Sequence, residues 1–121
     1  MSKFGSAIRP HVLAERRLAH DAETRGESAV AFSHLERAHV LGQTSTVHHV
    51  CVHFRMLQWA LRERRASECL GQLLRVAGAA TKTAVGLVPH GNTGGSNVSP
   101  FSSMPVEPEL EKLIQQARSE V

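Results

Sequence analysis

Residues 26–42, GESAVAFSHLERAHVLG, hold the reading on which the fold turns. Ala31, Leu35 and Ala38 stand four and three residues apart, the spacing that puts side chains on one face of an α-helix. Ser28 is suited to open that helix, which is expected to run to Leu41, with Gly42 as its C-terminal stop signal. The polar positions are less ordinary. HLERAH, residues 34–39, sets His34, Glu36 and His39 beside the apolar stripe.

Upstream, Pro10 suits the first turn of a helix that continues to Arg25, with Val12, Ala19 and Ala22 turned inward and Gly26 ending it. The connection to the next helix is so short that the two are expected to pair antiparallel. Downstream, Thr44, Ser45 and Thr46 offer caps to a third helix through VHHVCVHFRMLQWALRER, whose apolar stripe reads as Val50, Phe54, Leu57 and Leu61. The basic group Arg62, Arg64 and Arg65 follows, where cations complement a helix C-terminus. Ser67 caps a fourth helix with Leu70, Leu74, Ala77, Thr81 and Ala84 as its core stripe. Gly71 and Gly78 share one face of it, and each costs a helix about 1 kcal/mol, so the expectation is close approach of another helix there.

Past Pro89 the helical period stops, and HGNTGGSNVSPFSSMPVEP is dense in Gly, Asn, Ser and Pro. Val98, Phe101, Met104 and Val106 give this stretch apolar anchors, so it reads as a strap over the bundle rather than a solvated linker. Its GNTGGSN run lacks the lysine of a phosphate loop and reads as turn chemistry. The expected organisation is a single all-α domain over residues 1–121: an antiparallel helical bundle with a helical core at 7–88, a Gly/Asn-rich strap at 89–108 and a short helix at 109–118.

The chain has 121 residues, 41% of them hydrophobic, which suffices for one domain with a real core. The net charge of +3 is scattered among acidic residues, with neither aromatic platform nor basic stripe, so nucleic acid is a disfavoured partner. MSKFGSAIRP at the N-terminus has no apolar signal-peptide core, and residues 76–88, interrupted by Lys82, are too short to span a bilayer. Cys51 and Cys69 sit inside helical patterns rather than a disulfide framework. A reduced, cytoplasmic protein is expected.

Two resemblances follow from these segments. RGESAVAFSHLERAHVL resembles a tetratricopeptide hairpin, with Gly26, Ala31, Leu35 and Ala38 where that repeat places its turn glycine and small packing residues. The repeat's proline is replaced by Gly42-Gln43 and nothing downstream repeats the pattern, so no array is expected. AIRPHVLAE, HLERAHVLGQ, HFRML, GQLLR and GNTGGSNVSPF together resemble the bacterial family catalogued as domain of unknown function 3703, over nearly the whole chain. That resemblance implies no assigned activity and a loose link to bacterial metal-handling genes.

Eight histidines against four Phe, one Trp and no Tyr shift the polar chemistry towards imidazole, the commonest ligand of transition metals. On a helix, side chains three or four apart reach one point. His11 and Glu15, Glu36 and His39, and His49 and His53 are such pairs, one on each of the first three helices, whereas His48 points elsewhere. A buried carboxylate without a partner costs several kcal/mol, and a divalent cation supplies charge and coordination together. The Glu-x-x-His element of di-iron bundles occurs once here, not twice, so a ferritin-like assignment fails on count. The leading expectation is a divalent transition metal, Zn, Fe, Mn or Ni, held by His11, Glu15, Glu36, His39, His49 and His53. The competing expectation is a protein-protein interaction module, pairing with another protein or with itself, in which the same residues form a structural network. Cys51 lies on the opposite side of its helix from His49 and His53, which argues against a cysteine enzyme. Catalysis at such a site would require an open coordination position.

Overall fold

Five α-helices follow one another in the computed structural model, which describes residues 1–84, 89–99 and 102–121: α1 (Lys3–Thr24), α2 (Ser28–Gly42), α3 (Thr46–Arg62), α4 (Ala66–Ala84) and α5 (Pro108–Ser119). The side chains of Thr81 and Ala84, residues 85–88 at the end of the expected helical core, and the strap anchor Phe101 lie outside the described residues. Among the described residues there is no strand, and no helix is long and apolar enough to cross a membrane.

The α1–α2 hairpin forms as its sequence dictates. Gly26 adopts φ +74°, and the turn closes with Gly26 N–H donating to Glu23 O at 3.0 Å and Glu27 N–H to Ala22 O at 2.9 Å. That pair of bonds satisfies the last carbonyls of α1 and reverses the chain. Ile8, Val12, Ala19 and Ala22 of α1 then bury completely against Ala31, Leu35 and Ala38 of α2. The helix begins earlier than expected, however. Ser2 caps α1 by accepting from Gly5 N–H at 2.9 Å, and Pro10 lies inside the helix rather than in its first turn. The proline is exposed, so the carbonyl left without its N–H faces solvent.

The second hairpin, α3–α4, packs by α3 on α2, while α5 lies across α1 and α2. Here the expected apolar stripes are on the wrong side. Phe54 and Leu61 of α3 are 51% and 62% exposed, and Leu70 and Leu74 of α4 are 62% and 67% exposed. The inward face of α3 is instead His48, His49, Val52, His53, Met56, Trp59 and Ala60, and that of α4 carries Glu68, Gln72 and Ala79. The reason is hydrogen bonding: polar side chains pack inward without penalty when each finds a partner there. His48 turns from the other imidazoles to donate from Nε2 to Gly5 O at 2.8 Å, tying α3 to the start of α1. Trp59 donates to Ser28 O at 2.9 Å and stacks on Phe32 with ring centroids 4.5 Å apart.

The glycine expectations also change. A Cβ on Gly71 would stand 2.5 Å from Cβ of Ser96, so what approaches α4 closely is the strap, not another helix. Gly42 remains in α2, where a Cβ would stand 2.7 Å from Cβ of His48. Its smallness lets α3 pack.

Candidate metal centre

Three imidazoles meet where α2 and α3 face each other. His39 of α2 and His49 and His53 of α3 are all buried, and each offers a ring nitrogen within 4.8 Å of the others'. Ring centroids stand 4.9, 4.7 and 4.9 Å apart for the pairs 39–49, 39–53 and 49–53. The four-residue step from His49 to His53 places both on the side of α3 that meets α2, and Ala38 and Val52, both fully buried, hold the helices together beside them.

Partners on α4 and the strap fix two of the rings. The His39 Nδ1–H donates to Asn92 O at 2.6 Å. The His53 Nδ1–H donates to Gln72 Oε1 at 2.6 Å. The Gln72 amide has one orientation available, because its Nε2 donates to Glu68 Oε1 at 3.1 Å and to Gly94 O at 3.0 Å. A neutral imidazole that donates from Nδ1 carries a lone pair on Nε2. His39 and His53 therefore turn two Nε2 lone pairs towards each other across 3.1 Å. Burial, followed by the neighbouring His53 and His49, pushes the His39 imidazolium well below its ordinary pKa of 6.5, so the His39 ring is neutral at neutral pH.

The strap does most of the positioning. Gly94, at φ +85°, lies against the His39 ring, where a Cβ would stand 2.5 Å from Cδ2. Asn92 Oδ1 accepts from Gly94 N–H at 2.9 Å, and its Nδ2 donates to Ser99 O and Ser102 O, each at 2.8 Å. Arg75 of α4 donates to Gly94 O at 3.0 Å and to Val98 O at 2.7 Å, and also bonds Gly95 O. Glu68 accepts from Ser96 N–H at 3.0 Å as well as from its hydroxyl. Gln72, Asn92, Gly94, Glu68 and Arg75 are not among the expected site residues. The polar density of the strap is a signal for Asn92 and Gly94 alone; Glu68, Gln72 and Arg75 lie in α4, where spacing points to the apolar stripe instead.

The other expected ligands do not converge with this trio. Glu15, 9% exposed, accepts from His34 Nδ1 at 2.7 Å and from Arg37 Nε at 3.0 Å, and Arg37 goes on to bond Glu107 and Glu109 at the start of α5. Its partners are cationic or polar side chains of α2, which remove its need for a metal. Glu36 borders a cavity of about 350 Å³ together with Arg37, Gly91 and Thr93. Burial raises its carboxyl pKa, against a hydrogen bond from Thr93. His11 is half-buried on α1. Among the described residues none of these three, nor half-buried Cys51, belongs to the group.

A pH dependence follows for metal-free protein. Unfolded chain takes a proton on His39 near pH 6.5, whereas the folded chain takes it only well below that. Under pH 6.5 the unfolded state thus binds more protons, and stability is expected to fall with falling pH by up to about 1.4 kcal/mol per unit from this residue, flattening above pH 6.5. Urea melts in chelator across the range check it. A His39→Gln chain that keeps the full slope would assign the effect elsewhere.

A family model described as "Protein of unknown function (DUF3703)" matches residues 6–114. No curated protein and no solved structure matches the chain.

Proposed function

The chain belongs to the DUF3703 family of proteins of unknown function, and we propose that it binds a divalent transition-metal ion through His39, His49 and His53. One observation carries the proposal: the two Nε2 lone pairs of His39 and His53, held 3.1 Å apart by Nδ1 bonds to Asn92 O and Gln72 Oε1. Two nitrogens bound about 2.0–2.1 Å from one tetrahedral ion stand about 3.3 Å apart, so the pair is already near the spacing such an ion requires. A ligating imidazole commonly donates its other N–H to a carbonyl or carboxylate, which fixes the tautomer and raises its basicity. His39 does so to backbone, and His53 does so to an amide backed by the Glu68 carboxylate.

The donor set narrows the metal. Neutral imidazoles without thiolate suit Zn²⁺, with Fe²⁺, Mn²⁺ and Ni²⁺ as competitors, and disfavour Cu⁺. Three protein ligands leave coordination positions for water or a further ligand, which suits exchange of the ion or chemistry on it. Glu68, two hydrogen bonds from His53 Nδ1 by way of Gln72, offsets part of the ion's charge in the interior.

Elemental analysis of chain purified without added metal, then after Zn²⁺ loading and desalting, tests the reading. About one equivalent is expected for wild type and for Cys51→Ser, and well under half an equivalent for His49→Ala. Metal lost from the Ser variant and kept by the Ala variant would overturn both the ligand set and the helix-face argument beneath it.

A further inference from the structure

The stripes that the fold turns outward are regularly spaced. On α3, Val47, Val50, Phe54, Leu57 and Leu61 step by 3, 4, 3 and 4 residues, and on α4, Ala66, Leu70, Leu73 and Ala77 step by 4, 3 and 4. That alternation is the one by which a helix seats its side chains between those of another helix. Val50 and Leu57 are half-buried, while Val47, Phe54, Leu61, Leu70, Leu73 and Leu74 are 45–67% exposed. Among the helices α4 packs on α3 alone, so its outward stripe meets no other helix in the described residues. We propose that this face of the α3–α4 hairpin is the contact between two copies of the chain, which pair as a four-helix layer about a two-fold axis.

Area and charge favour a second copy. Those six large side chains leave on the order of 600 Å² of surface open, most of the roughly 800 Å² per partner of a standard stable interface and at the upper end of what a lone surface patch amounts to. A face that meets itself must not bring like charges together, and the stripe positions with their flanks Cys51, Gln58, Ser67 and Leu74 carry none. The cations Arg62, Arg64 and Arg65 gather at the α3–α4 turn, one end of the hairpin. An antiparallel pairing sets each turn beside the far end of the other copy, which keeps the two cationic ends apart.

Sedimentation equilibrium of the full chain tests this independently of the metal reading. At about 100 µM, some hundred times a micromolar dissociation constant, wild type is expected at twice its 13.2 kDa, with and without chelator. The double variant Leu70→Glu, Leu74→Glu is expected at the single-chain mass with its helical circular dichroism unchanged. A monomeric wild type, a dimer seen only with metal, or a double variant that still pairs would each overturn the proposal. If the double variant loses helix, Leu74→Gln carries the test, with an expected weakening of at least about tenfold, and an unchanged constant overturns it.

Discussion

Saturating Zn²⁺ is expected to raise the melting temperature of wild-type chain by about 12–24 °C, and that of His53→Ala by almost nothing. A ligand at about a thousand times its dissociation constant stabilises the state that binds it by about 4 kcal/mol, and each kcal/mol moves the midpoint of a domain this size by roughly 3–6 °C. The His53 ring is buried and bonded to Gln72, so its removal also costs stability without metal. The discriminating quantity is therefore the difference between the two chains with Zn²⁺ minus the same difference in chelator. A hydrogen-bonded network with no ion would give equal losses under both conditions. Scanning calorimetry of both chains in both buffers measures it, and equality there would sink the metal reading while leaving the fold untouched.

Gly94→Ala is expected to destabilise the fold by about 2–5 kcal/mol and to remove high-affinity metal binding with it. Two effects add at this position. A residue with a Cβ resists φ +85°, at a cost of about 1–2 kcal/mol, and the new atom would stand 2.5 Å from His39 Cδ2 and 2.9 Å from His39 Nε2. Relief requires that the ring move, which breaks the Nδ1 bond to Asn92 O and draws Nε2 from its place opposite His53, or that the strap lift from Gln72 and Arg75. Gly26→Ala is the control, because φ is +74° there with nothing within 4 Å of the added atom. It is expected to cost about 1 kcal/mol and to leave metal affinity alone. Denaturant melts with Zn²⁺ titration of both variants test the pair. Equal effects at the two glycines would mean that contact with His39 contributes nothing.

How much of this was legible in the sequence differs between the two hairpins. In α1–α2 the apolar spacing of Val12, Ala19, Ala22, Ala31, Leu35 and Ala38 gave the buried face directly, and Gly26 gave the turn. These contacts are local and apolar, so periodicity and turn chemistry suffice. In α3–α4 the same periodicity selected the outward stripe, since Phe54, Leu61, Leu70, Leu73 and Leu74 do not face the body of the domain. Spacing also brought forward His39, His49 and His53, yet it grouped with them Glu15, which Arg37 and His34 satisfy, and Glu36, which borders a cavity.

Sequence by itself determined that the chain is helical, where the helices break, and which imidazoles share a helix face. Tertiary structure alone decided which face of α3 and α4 turns inward and which polar residues meet there. The physical reason is that burial of a histidine or glutamine depends on finding a partner, and those partners are distant in the chain: Asn92 for His39, Gln72 for His53, Gly5 for His48. Periodicity reports a pattern along one helix. It carries nothing about the strap that returns from residues 89–99 to complete the hydrogen bonds on which that polar interior rests.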